Sequence, residues 1–272
     1  MALIQLPYLE TGDPNGVPVI CLHGYSDSAR SYELMFEHLP RSIHAYSVSL
    51  RGHGDADKPR DGYSPVEQAA ELAAFMDRVG LESATLVGHS GGSYVAQQFA
   101  LAHPHRVQGL VLIGAIHDMR EALEDMLPVV GALTDPVDAE FVREFQESTI
   151  TRPIPEGWLD IVLEESAKLP AHVWQEWLTG YVDAVIPVHT GGTITASTLI
   201  LWGDRDSICS PESQDALLEA IPLSRLVVYE GTGHALHWEQ PARSAADIAA
   251  FAAQSAAIVT LRPEDLAAVR AS

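Results

Sequence analysis

The stretch 83–97, Ser-Ala-Thr-Leu-Val-Gly-His-Ser-Gly-Gly-Ser-Tyr-Val-Ala-Gln, constrains the fold more than any other part of the chain, because it reads as a strand running without a linker into a helix. Residues 84–87 are a short apolar run that ends in Gly88-His89-Ser90-Gly91-Gly92. Apolar residues at helical spacing, Tyr94, Val95, Phe99 and Ala100, begin at once. The five central residues match G-x-S-x-G in the strand–turn–helix context that this pattern requires. A turn so sharp strains the backbone of its middle residue, and the positions two before and two after must be small enough not to collide; Gly88 and Gly92 meet that demand. The expected geometry carries the Ser90 hydroxyl to the top of a sheet and sets the Gly91 N–H beside it, at the positive end of the following helix. That is a nucleophile next to an anion-stabilising donor. A glycine-rich turn with an incidental serine would read the same over so short a stretch, so the other motifs must decide.

On the amino-terminal side, residues 3–9 are expected as an opening strand and Asp13-Pro14-Asn15-Gly16 as a turn. Val17–Leu22 is a continuous apolar run of the kind buried on both faces of a parallel sheet. Residues 28–39 read as helix and 43–50 as strand. Ser64-Pro65 then caps a helix whose Val66, Ala69, Leu72, Phe75 and Met76 share one face. With 107–115 as a further strand, strand and helix alternate throughout this half, which calls for a parallel sheet with right-handed crossovers. The alternation stops between 116 and 191, where several amphipathic helices are expected. Strand signals resume at 198–202 and 226–229, with helices expected at Pro211–Ala220, at 241–253 and in the tail to Ser272. The fold class is therefore α/β: a mostly parallel sheet flanked by helices, built from residues 1–115 and 192–272, with 116–191 inserted between two late strands as a helical lid or cap.

A serine hydroxyl is a weak nucleophile at neutral pH; it needs a base within hydrogen-bond reach, and the base needs an orienting acceptor. Both late strands end in suitable groups, Gly203-Asp204-Arg205-Asp206 after one and Glu230-Gly231-Thr232-Gly233-His234 after the other. They leave the sheet on the rim expected for Ser90, in the chain order serine, aspartate, histidine that suits this arrangement. His234 is the expected base, since it sits in a glycine-flanked loop where packing requires no imidazole; a surface histidine is the alternative. Asp204 and Asp206 compete for the orienting role. After a turn at Gly203 the later carboxylate reaches farther back across the sheet, so Asp206 is preferred, with Asp204 capping the loop or pairing with Arg205. His23-Gly24-Tyr25 follows a strand expected beside the nucleophile strand, which makes the Tyr25 N–H a second candidate oxyanion donor with Gly91. Trp158, Trp174 and Trp177 of the inserted helices are candidate pocket walls, although aromatic residues at helical spacing more often serve as core. His23, His89, Ile116 and Leu236 complete the expected pocket.

Taken together, Gly88-His89-Ser90-Gly91-Gly92, His23-Gly24, Arg51-Gly52-His53-Gly54 with Asp57-Lys58-Pro59, Trp202 to Asp206, and Gly233-His234 through Glu239-Gln240-Pro241 resemble the α/β-hydrolase superfamily, specifically its capped, cofactor-free esterase, lactonase and haloperoxidase-like members. The resemblance covers nearly the whole chain. It implies Ser90 as nucleophile, Asp206 as acid, His234 as base and Tyr25 and Gly91 as oxyanion donors. Two departures are visible: the leading hairpin is short, and Ser49 stands where relatives often carry an acidic residue.

Composition narrows the partners. A net charge of −21 on 272 residues argues against nucleic acid or an anionic membrane surface, both of which need a basic face, so neither is expected as a partner. Only Cys21 and Cys209 occur, which points to reduced thiols in a cytoplasmic protein. No metal cluster, signal peptide or membrane span is read. The expected function is a cofactor-free serine hydrolase for esters or lactones of neutral, medium-sized apolar substrates, N-acyl homoserine lactones included. Carbon–carbon bond hydrolysis or perhydrolysis on the same triad, and small-ligand reception without catalysis, are the alternatives. The oligomeric state is not read from the sequence.

Overall fold

The computed structural model describes residues 3–184, 186 and 192–260. Its centre is one seven-stranded sheet in the order β1-β3-β2-β4-β5-β6-β7, comprising β1 (Tyr8–Thr11), β2 (Val17–Leu22), β3 (Ile43–Val48), β4 (Ala84–His89), β5 (Val107–Ile113), β6 (Thr198–Gly203) and β7 (Ser224–Tyr229). Only β1 runs antiparallel, against β3; the other neighbours are parallel. The apolar runs are continuous because both faces are covered. In β2, Ile20 and Leu22 enter one core while Val19 and Cys21 enter the other. Leu110 and Leu112 of β5, and Ile200 and Trp202 of β6, likewise alternate with Val111, Ile113, Leu199 and Leu201. On the first face lie α2 (Pro65–Arg78) and α3 (Gly91–Ala102); on the second, α11 (Pro241–Thr260) packs on β5 and β2, and α1 (Glu33–Phe36) packs against it.

The helix start at Ser64 is written into the sequence. Its hydroxyl accepts from the Glu67 N–H while the Glu67 carboxylate accepts from the Ser64 N–H, a reciprocal cap with Pro65 at the first turn. Several boundaries differ from expectation. The opening strand occupies Tyr8–Thr11 rather than 3–9, since Pro7 has no N–H to give a ladder and instead accepts from the Ser49 N–H through its carbonyl. The expected helix 28–39 divides into a 3₁₀ turn, Ala29–Tyr32, and α1. The last helix continues seven residues past 253, to Thr260. The expected tail helix beyond it and the expected insert boundary at Gly191 lie outside the described residues.

The chain order reverses between β2 and β4: β3 lies to one side of β2, and the chain then returns to place β4 on the other. In such sheets the carboxyl ends flanking this switch form a crevice, and the loops leaving β2 and β4 carry Gly24 and Ser90. Between β5 and β6 come α4 (Met119–Leu123), α5 (Leu127–Gly131), α6 (Ala139–Ser148), α7 (Trp158–Ser166) and α8 (Ala171–Val182). No described helix is long and apolar enough to cross a membrane.

Candidate active site

Ser90 occupies the turn between β4 and α3 with φ 49° and ψ −120°, a region that L-residues other than glycine seldom adopt. The neighbouring glycines are demanded by contact. A Cβ at Gly88 would lie 2.5 Å from the Gly92 carbonyl oxygen, and one at Gly92 would lie 2.3 Å from that of Leu22. The Ser90 N–H donates to the Ile113 carbonyl at 2.9 Å, tying the turn to β5. A Cβ on Gly24 would come within 3.1 Å of the Ser90 Cβ, so the loop that carries Tyr25 runs directly against the serine. Gly91 begins α3, where the N–H groups have no intrahelical acceptor.

His234, on the loop after β7, places its Nδ1 2.8 Å from Asp206 Oδ2, with both side chains buried. Asp206 Oδ1 accepts from the N–H groups of Ile208 and Cys209 at 2.8 and 2.9 Å. Burial by itself would raise the Asp206 carboxyl. The His234 charge and these hydrogen bonds outweigh it and hold the group below its ordinary value. Asp204 instead accepts from the Gly231 N–H at 2.6 Å, so it closes the β7 loop and does not face the imidazole.

A cavity of about 190 Å³ brings Ser90 and His234 together with Tyr25, Asp27, His89 and Trp177. Leu123, Met126 and Phe145 of the inserted helical segment and Ile208 supply its apolar surface, and no lysine or arginine among the described residues lines it. Of the expected pocket residues, His89 and Trp177 are among the lining side chains. His23, Ile116, Trp158, Trp174 and Leu236 are not, each for a packing reason. His23 turns inward: its Nδ1 donates to the Gly24 carbonyl at 2.8 Å, its Nε2 accepts from the Leu50 N–H at 2.9 Å, and burial lowers its pKa to about 4, so it stays neutral. Ile116 borders a different cavity beside α9 (Pro211–Ala220), and Trp158 borders a small one beyond Asp27. Trp174 is fully buried behind Tyr25, edge-on at 4.9 Å, and Leu236, which opens α10 (Leu236–Glu239), belongs to the core on the α11 face of the sheet.

Asp27, Gln146 and Trp238 line the cavity without having been singled out from the sequence. Nothing local marks them, since Asp27 sits in a short polar loop and Gln146 in an amphipathic helix. Asp206, Cys209 and His234 bring one potential metal-donor atom each within 4.8 Å of one another. Those donors become available to a cation only if the Asp206–His234 bond is given up and the Cys209 thiol, pushed well above its ordinary pKa by burial, loses its proton.

The model of a family described as "Alpha/beta hydrolase family" matches residues 19–247. An AB hydrolase superfamily protein of Bacillus subtilis, YisY, is 27% identical over 255 residues, spanning 87% of this chain and 92% of its own length. An esterase from Exiguobacterium antarcticum superposes with a TM-score of 0.81 at 22% identity, covering 93% of this chain and 99% of that one. A structure described as an N-acyl homoserine lactone degrading enzyme superposes with a TM-score of 0.73 at 24% identity, covering 91% and 97%. At these identities the two structures share the fold with this chain.

Proposed function

Because the chain belongs to the alpha/beta hydrolase family, we propose that it is a serine hydrolase that cleaves neutral carboxylic esters or lactones, with Ser90 as nucleophile, His234 as general base and Asp206 as its orienting acid. The observation that carries this reading is the joint placement of a strained Ser90 and a His234 held by Asp206 at 2.8 Å on one cavity. Ser90 Oγ attacks the carbonyl carbon while its proton passes to His234 Nε2, and Asp206 stabilises the resulting imidazolium. The oxyanion is taken by the N–H groups of Tyr25 and Gly91. Collapse breaks the carbon–oxygen bond, the leaving alkoxide takes the proton from His234, and the acyl group stays on Ser90. Water then adds by the same route and releases the acid. In this reading the helices between β5 and β6 act as the lid, since α4, α6 and α8 bring Leu123, Phe145 and Trp177 over the serine.

The described lining, which has no lysine or arginine, favours neutral esters and lactones over the anionic substrates of carbon–carbon hydrolases, and the likeness to a lactone-degrading enzyme keeps N-acyl homoserine lactones within the class. The test is hydrolysis of a panel of nitrophenyl esters and lactones by wild type and Ser90→Ala, with organophosphate labelling alongside. Wild type is expected to turn over and be labelled, and folded Ser90→Ala to do neither. Full activity in Ser90→Ala would place the nucleophile elsewhere.

A further inference from the structure

One end of the Ser90 cavity is polar, although the apolar walls do not require it. Asp27, 4% exposed, and His89, 3% exposed, face each other there with Asp27 Oδ2 3.8 Å from His89 Nδ1, too far for a direct hydrogen bond. Asp27 Oδ1 accepts from Gln146 Nε2 at 3.1 Å. Its Oδ2 has the Ser31 hydroxyl at 3.3 Å, a long contact for an O–H donor whose hydroxyl also lies 3.1 Å from His237 Nε2, and the Gly24 main chain supports the carboxylate weakly. Neither imidazole nitrogen of His89 makes a hydrogen bond of ordinary geometry, although the His234 main chain lies near enough to support one nitrogen weakly. Buried polar groups left this way carry a desolvation penalty that a hydrogen-bonding occupant of the cavity would relieve.

We propose that Asp27 and His89 form a second recognition point of the cavity, taking a hydroxyl or amide N–H carried by the substrate apart from the scissile carbonyl. The proposal rests on the reading of this cavity as the substrate site and deepens it: the preferred esters or lactones are hydroxylated or N-acylated rather than plain alkyl. The carboxylate accepts a hydrogen bond from the substrate O–H or N–H, and the neutral imidazole donates one to the hydroxyl oxygen where a hydroxyl is present. Burial lifts the Asp27 carboxyl to about 7 despite the opposing Gln146, Ser31 and His234 contacts, so a substantial fraction is an acceptor at neutral pH. His89 stays neutral, since burial and the adjoining His237 and His234 lower its pKa well below the usual value.

Binding is the readout, because it does not depend on Ser90 being the nucleophile. Trp177 and Trp238 line the cavity and report occupancy by fluorescence. Three unreactive aliphatic ketones of matched length are compared: plain, hydroxyl-bearing and methoxy-bearing. Wild type is expected to bind the hydroxyl ketone about 10-fold or more tighter than the methoxy ketone, the range of a hydrogen bond to a charged group. In Asp27→Asn, Oδ1 still serves Gln146 but an N–H₂ replaces Oδ2, so the preference should vanish or reverse towards the methoxy acceptor. Equal binding of the three ketones to wild type overturns the proposal, as does an undiminished preference in folded Asp27→Asn. The wild-type comparison stands even if the variant does not fold. Turnover of the corresponding nitrophenyl esters, scored separately, bears on Ser90, so failure of the hydrolase reading is seen apart from failure of this one.

Discussion

At the scale of single residues, the two carboxylates of the 203–206 turn have separate tasks. Asp206 holds His234, and Asp204 holds the Gly231 N–H. Asp206→Asn removes the acceptor that fixes the imidazole tautomer, and turnover should fall by about 10⁴-fold, the usual consequence of losing that group. Asp204→Asn keeps an oxygen for Gly231 and should lose less than about 10-fold, within what one neutral hydrogen bond supplies. The ranking of kcat for the two variants checks the assignment. Asp27 makes a different prediction, on stability. Its pKa rises from 3.8 to about 7 on folding, so between those values the native state holds more of its proton than the unfolded chain and stability falls as pH rises. The ionisable groups facing it are His89 and His234, with His237 beyond Ser31. Asp27→Asn removes this slope. Its gain in Tm over wild type should grow from pH 4 to pH 8, and a gain independent of pH would contradict the buried-acid account.

At the scale of elements, α8 packs directly against the elbow through Trp177. Trp177 stacks on Tyr25 at 4.4 Å and on Tyr181 at 3.6 Å, and a Cβ at Gly91 would collide with its ring at 2.1 Å. One tryptophan thus joins the loop after β2, the start of α3 and the inserted helices. Trp177→Ala leaves a hole that these rigid elements cannot fill and should cost about 3–5 kcal/mol in denaturant unfolding, whereas Trp177→Phe keeps a ring in the stack and should cost much less. In catalysis Trp177→Ala should raise kcat/KM for bulkier acyl groups relative to acetyl esters, because the space opens beside Ser90. An unchanged chain-length preference would remove Trp177 from the specificity wall.

At the scale of the whole molecule, the chain carries a charge of −21, and no lysine or arginine among the described residues lines the cavity. An anionic ester approaches against that field, which mobile ions screen over about 10 Å at 0.1 M salt. The kcat/KM of a neutral ester should therefore exceed that of a size-matched ester bearing a carboxylate, and added salt should narrow the gap by accelerating only the charged substrate. A salt-independent ratio would show that the exterior field plays no part and that the cavity alone discriminates.

The sequence by itself determined the sheet's buried strands, because a strand covered on both faces is mostly apolar and such runs are short-range signals: Val17–Leu22 coincides with β2. A cap is equally local, and the helix expected at Pro211–Ala220 coincides with α9, which starts at the Ser210 cap. The sequence also determined which groups could meet. Ser90, Asp206 and His234 each follow a strand end, and parallel strands deliver their carboxyl ends to one rim. The breaks at Pro7 and within 28–39 are less legible, since there the pairing with β3, and the packing of the 3₁₀ turn on the sheet and of α1 on α11, override local propensity. Only the tertiary structure decided what faces the serine. Whether a tryptophan is wall or core depends on how α7 and α8 are rotated and packed, a long-range matter with no signature in spacing, and so Trp177 lines the cavity while Trp158 and Trp174 do not. Asp27 is the clearest case. In the chain it is one polar residue in a polar loop; the packing of α6 against the loop after β2 sets it beside Gln146 and His89, and burial there lifts its pKa to about 7.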